Sequence, residues 1–406
     1  MNEPLERAFT SAKLGSLELK NRFLKAATFE GKTPAGVPGQ SFLDFHLAPV
    51  HGGIAMTNFA YCAAEADGRI YDHMMYMHDG IRSTLSDMIR QIHEMGAKVC
   101  GQLTHCGGFS GNKKLNRLKR PQGPSAKLSM IGLTAGMPFV SAMNPTDIEY
   151  RKKTFGDASR FMLEVGFDAI EIHFGHGYAL SQFLSPLTNR RSDAYGGSLG
   201  NRMRLPLEVL SAVQSATGAA IPLTGKLSLT DGVEGGINEA ETIEFARQLD
   251  KAGIDAVIVS DGSSSHNPMK MFRGDSMLKG MLANERSFIT RAGLRLVGPL
   301  MFKAYPYEDL YLLDGAKKVR DALDCQASYL GGCSTSDDVE RVMSAGFDFI
   351  QLGRALIRDP NLVNNMKAAI DAGNRYSSEC THCNECATLI NHPDGVSCPE
   401  RWRHSN

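Results

Sequence analysis

Apolar and β-branched residues gather in short runs along this chain, and each run gives way to a turn and then to a longer stretch of helical period. The runs are FLKAAT (23–28), GGIAMTNFA (52–60), KVCGQLTH (98–105), FDAIEIHFG (167–175), PLTGKLSL (222–229), DAVIVSDG (255–262), QASYLGGC (326–333) and FDFIQLGRAL (347–356). Helices are predicted over 79–95, 146–165, 198–216, 238–252 and 335–345; the second opens on what reads as a capping box, Thr146 with Glu149. Several stop at a glycine after a basic or small residue, as in EMGAK, LEVGF, DKAGI and MSAGF, and the next run starts at once. Strand, helix and glycine stop, repeated through the chain, predict an α/β fold with one parallel sheet closed on itself, a single (β/α)8 TIM barrel.

Two connections are too long for simple loops: 106–145 after the third run and 263–315 after the sixth. The first carries Lys113, Lys114, Arg117, Lys119, Arg120 and Lys127 and reads as a solvated loop. The second, with its methionines, is long enough to form a lid or a subdomain. The barrel is assigned to residues 1–375 and a cysteine-rich extension to 376–406.

Composition removes several classes. Lys plus Arg and Asp plus Glu both number 44, so no global field draws the chain to nucleic acid or an anionic membrane. The start, MNEPLERAFTSAK, has no apolar signal core, and no stretch nears the ~18 apolar residues of a membrane span. The expectation is a cytoplasmic protein. Of nine cysteines, Cys62, Cys100, Cys106, Cys325 and Cys333 lie in or beside strand-like runs and read as small core hydrophobes. The other four crowd the tail.

In a barrel of this type the strand ends carry the chemistry. Gln102 ends the third run, and its amide offers a donor and an acceptor to the edge of a heteroaromatic ring. The fourth run leads into His173, His176 and Tyr178; two imidazoles three apart share a target only if the chain bends between them, which Gly175 and Gly177 permit. Lys226 sits in the fifth with no evident inward carboxylate, so a ligand is its expected partner. Gly331 and Gly332 end the seventh and Gly353 and Arg354 the eighth, which predicts a cradle for a phosphorylated cofactor.

The run EIHFGHGYALSQFLSPLTNRRSDAYGGSLGNR (171–202), with LKNR at 19–22, GQLTH at 101–105 and GRALIRDP at 353–360, resembles the Old Yellow Enzyme superfamily of FMN-dependent barrel oxidoreductases. The resemblance spans residues 8 to about 370. It implies a bound FMN, reduced by NAD(P)H, that hands hydride to the activated C=C bond of an α,β-unsaturated carbonyl compound. By that resemblance Gln102 and Lys226 contact the flavin ring, Ala27, Thr28 and Ala60 lie beside it, and Gly331, Gly332, Gly353 and Arg354 hold its phosphate. His173 and His176 bind the substrate carbonyl, and Tyr178 supplies the proton. Three departures stand out: Gly200 where the superfamily usually has Glu, Cys106-Gly107-Gly108 after GQLTH, and Ala26-Ala27-Thr28-Phe29 at the end of the first run.

In the tail, Cys380, Cys383, Cys386 and Cys398 are spaced for a [4Fe–4S] cluster or a zinc ion. The segment resembles the cluster region of 2,4-dienoyl-CoA reductase and of the amine dehydrogenases, trimethylamine dehydrogenase among them, which implies an external electron partner if a cluster is present. Rival readings are a flavin-dependent amine dehydrogenase or demethylase, against which His173 counts because that branch tends to carry Tyr there, and a non-catalytic metal-tail interaction protein. Expected partners are a small enone, no nucleic acid, no membrane, and further copies of the chain in a homo-oligomer.

Overall fold

Each strand is short and buried almost throughout, which is what a parallel sheet covered on both faces requires. The computed structural model describes residues 3–115, 117–285 and 287–400; residues 1–2 and 401–406 of the two assigned units, with Asn116 and Arg286 in the insertions, lie outside the described residues. The strands are β1 (Phe23–Lys25), β2 (Met56–Ala63), β3 (Lys98–Thr104), β4 (Ala169–His173), β5 (Leu223–Ser228), β6 (Ala256–Ser260), β7 (Gln326–Leu330) and β8 (Phe349–Leu352). Each pairs in parallel with the next, and β8 closes on β1. The barrel expected from the runs is the barrel found.

The covering helices are α1 (Gln40–His51), α2 (Arg82–Glu94), α3 (Pro145–Val165), α4 (Leu199–Thr217), α5 (Glu239–Lys251), α6 (Leu313–Arg320), α7 (Ser336–Ser344) and α8 (Leu362–Asp371). Ser198, Asn238 and Thr335 cap α4, α5 and α7 through their side chains. One cap differs from expectation: α3 is closed by Asn144 and Asp147, with Pro145 in the first turn, so Thr146 and Glu149 are not the capping box. Proline's fixed φ suits the first helical position, which moves the start back. Of the five cysteines expected in the core, Cys325 is only half-buried; the others are buried.

A hairpin of Ala12–Leu14 and Leu17–Leu19 plugs the barrel at its N-terminal end, where Leu14, Leu19, Leu24, Met56 and Phe349 form a separate apolar cluster. The site is thereby confined to the other end. There the first insertion carries a small sheet (Gln122–Gly123, Lys127–Leu128, Phe139–Ala142) and exposed basic residues. The second carries the helices Leu278–Asn284 and Phe288–Met301. No helix among the described residues is long and apolar enough to cross a membrane.

If Asn144 caps α3, Asn144→Ala lowers stability by about 1 kcal/mol while Thr146→Ala has little effect. Thermal unfolding of the two variants checks this, and a lower midpoint for Thr146→Ala than for Asn144→Ala would return the cap to Thr146.

Candidate active site

The bend after β4 is real, but His176 itself makes it. His176 has φ 60° and Gly177 φ 75°. Gly175 serves by leaving room: a Cβ there would meet Ser228 N and Oγ at 2.9 Å. Ser228 Oγ accepts from His176 N (2.8 Å) and donates to Gly262 O (2.9 Å), so the ends of β5 and β6 hold the turn.

The two rings meet each other rather than one shared target. His173 Nε2 lies 2.9 Å from His176 Nδ1, His173 Nδ1 3.4 Å from Thr104 Oγ1, and His176 Nε2 2.8 Å from Ser260 Oγ. Burial, and then Lys226, push His176 down to about 3; burial also holds His173 well below its ordinary value. Both rings are therefore neutral, each with one donor and one acceptor, and the four groups form a chain that must run in a single sense. His176 and Ser260 reach the cavity at the barrel mouth, and His173 stands behind them.

Lys226 also departs from expectation. Its Nζ is 2.9 Å from Glu171 Oε1, which additionally accepts from Gln102 Nε2 (2.6 Å), while Glu171 Oε2 accepts from Gln351 Nε2 (3.1 Å). Glu171 shares the inward face of β4 with His173, two residues on, an alternation that predicts this carboxylate. Gln102 and Gln351 each keep a buried amide oxygen without a partner, and both line the cavity with Lys226. This floor fits a heteroaromatic ring edge bearing an N–H.

The cavity holds about 710 Å³. At one end Gly331 and Gly332 take left-handed φ of 143° and 72°, where a side chain on Gly332 would meet Tyr311 at 2.9 Å. Beside Gly353 a Cβ would meet nothing within 4 Å. Arg354 faces the same end, so an anionic group has a glycine cradle and a guanidinium to receive it. Ala27 and Thr28 line the cavity; Ala60 is buried but does not. FMN, a planar ring with a phosphate tail, matches this donor set.

Tyr178 closes the far wall. Its hydroxyl is 3.1 Å from that of Tyr61 and accepts from Ser264 Oγ (3.2 Å). Burial raises its pKa against these two hydrogen bonds, so the phenol keeps its proton at neutral pH. Tyr61, Tyr71 and His73 were not foreseen; Phe29, singled out at the end of the first run, lines the cavity and stacks on Tyr61 at 5.8 Å. The β2–β3 register shifts between Phe59 and Cys62, and a bulge of that kind re-aims a side chain in a way alternation does not show.

The second insertion and the tail roof the cavity. Met277, Met281 and Phe302 from the first, and Ile390, Pro393 and Val396 from the second, line it. Cys380, Cys383, Cys386 and Cys398 all line a separate small cavity of about 20 Å³, and Cys386 and Arg354 border both. Among the described residues no three His, Cys, Asp or Glu side chains converge closely enough to hold a single metal ion.

A sequence model of the NADH:flavin oxidoreductase / NADH oxidase family matches residues 7–286. A relative from Rhodococcus erythropolis, 4,4'-dithiodibutanoate disulfide reductase, is 36% identical over 95% of this chain and 94% of its own. A metal reductase from Desulforamulus reducens is 26% identical over 96% of this chain, which spans 52% of that longer protein. The solved structure of an Old Yellow Enzyme homologue from Zymomonas mobilis superposes with a TM-score of 0.70 at 18% identity, covering 97% of both chains. The fold and site define an FMN-dependent barrel oxidoreductase. The chain belongs to the NADH:flavin oxidoreductase / NADH oxidase family, within the Old Yellow Enzyme superfamily, and is an NAD(P)H:flavin oxidoreductase.

Burial also lowers His46 and His105 to about 4. Unfolded, these rings and His176 protonate near 6.5, so between pH 6.5 and about 4 the unfolded chain binds more protons and stability falls as pH falls. The urea midpoint should be lower at pH 5 than at pH 7; equal midpoints would contradict neutral buried rings.

Proposed function

We propose that this protein reduces the activated C=C bond of α,β-unsaturated carbonyl compounds with NAD(P)H. The observation that carries the reading is a protonated, buried phenol, Tyr178, lining the same cavity as the His176 and Ser260 end of a neutral hydrogen-bond chain. Bound FMN would supply the hydride-transfer chemistry between NAD(P)H and the β-carbon of the substrate. Gln102, Lys226 and Gln351 would hold its ring and Gly331, Gly332, Gly353 and Arg354 its phosphate.

Hydride arrival places negative charge on the carbonyl oxygen. A hydroxyl or N–H at the Ser260 and His176 end, with Thr104 and His173 backing it, stabilises that charge; such a donor is worth about 3 kcal/mol of barrier. Tyr178 gives its proton to the α-carbon and recovers one through Ser264 or Tyr61. The balance is one hydride and one proton per double bond.

A second substrate class has its own support. The full-length relative at 36% identity is a disulfide reductase, and the same hydride and proton cleave an S–S bond to two thiols. Comparing kcat/KM for a cyclic enone with that for a dialkyl disulfide separates the two; a clear preference for the disulfide would displace the enone reading.

Tyr178→Phe should leave bleaching of the 450 nm band by NAD(P)H intact and slow its enone-driven return by about 10²-fold or more. Equal return rates would remove Tyr178 from proton transfer.

We further propose that the four tail cysteines hold a [4Fe–4S] cluster. The four cysteines line one small cavity, and three of them closely spaced with a fourth at a distance, followed by Pro399, suit a cube. Anaerobic protein should carry about four irons per chain and broad absorbance near 400 nm. One zinc, or four free thiols and no metal, would overturn this.

A further inference from the structure

Arg354 is held from behind by the cysteine-rich tail. Its Nη1 donates to Arg273 O at 2.7 Å and to Asn384 Oδ1. Asn384 Nδ2 in turn donates to Phe272 O (2.7 Å) and Asp275 O (2.8 Å), both in the second insertion. The amide's orientation follows from its partners, because two carbonyls can only accept and a guanidinium can only donate. Its oxygen and both of its N–H groups are thus engaged.

Asn384 is 1% exposed and has φ 61°, a left-handed backbone that Asn tolerates better than most residues. It borders the cysteine cavity and not the large one, whereas Arg354 borders both. Asn384 therefore reaches a ligand at the glycine cradle only through residues it holds, Arg354 at the cradle end and Phe272 in the insertion.

We propose that Asn384 is a positioning residue that makes the grip on the FMN phosphate depend on the docked tail and insertion. Bonds from Nη1 to Arg273 O and Asn384 Oδ1 occupy that nitrogen's hydrogens and stop the guanidinium from swinging, which keeps the rest of the fork, beside the Tyr311 hydroxyl, at the end of the cavity marked by Gly331, Gly332 and Gly353. Aspartate would turn an oxygen toward two carbonyls, and serine has one hydroxyl for three partners. The inference rests on the reading of Arg354 as a phosphate holder.

The test uses riboflavin, which lacks the phosphate. Asn384→Gly removes the amide and keeps the backbone, since glycine adopts a left-handed φ at no cost. Holoprotein loaded with FMN or with riboflavin is diluted, and flavin release is followed by fluorescence. The preference for FMN should fall about tenfold in Asn384→Gly, by a similar factor in Arg354→Ala, and no further in the double variant, as expected for two groups acting as one. If Asn384→Gly speeds both releases equally, its role is structural support only and the inference is overturned. It is likewise overturned if the preference survives in Asn384→Gly while Arg354→Ala loses it. If Arg354→Ala keeps the preference, the phosphate reading of Arg354 fails, and the inference with it.

Discussion

Everything at the mouth of this barrel stands on one buried carboxylate. Glu171 receives Lys226 from the neighbouring strand β5, Gln102 from β3 on its other side, and Gln351 from β8, opposite β4 in the closed sheet. A lysine 1% exposed and a glutamate fully buried are each costly alone; paired and hydrogen-bonded they are retained, and loss of either leaves an uncompensated charge. The arrangement also commits the amide nitrogens of both glutamines downward. Their oxygens are then left for whatever lies above, so the floor's recognition of a ring edge follows from its internal charge balance.

The barrel was legible because each strand is a compact apolar run and each helix is bounded by caps or glycines, signals that act locally. The α3 cap went astray by two residues because Pro145 pulls the start back to Asn144, while Thr146 and Glu149 mimic the same spacing. At the site, His176, Tyr178, Gln102 and the glycine and arginine pairs lay at strand ends and could be found there. Glu171 was overlooked although the β4 alternation points it inward. Tyr61 could not be found by alternation, since an irregular β2–β3 register aims it. The roof was out of reach for another reason: Met277, Met281 and Phe302 meet Ile390, Pro393 and Val396 over the cavity although they stand far apart in the chain, and no local pattern reports such a meeting.

Floor and roof differ in kind. The floor is made of charged and amide groups on strands, each held by its neighbours' hydrogen bonds. The roof brings three methionines (Met271, Met277, Met281) and two phenylalanines (Phe272, Phe302) from an insertion against a tail, with Asn284 hydrogen-bonded to Thr388 between them. Methionine-rich surfaces adapt their shape at little cost, so the roof is the more accommodating side of the cavity. This division fits a family whose named members reduce chemically unlike acceptors.

The hairpin that plugs the opposite end of the barrel has a consequence for traffic. With Leu14 and Leu19 packed against the strand starts, the described chain gives small molecules a way to the floor from one side only. Any two molecules that both need the floor therefore come to it through the same mouth, and the room above the floor is the one they compete for.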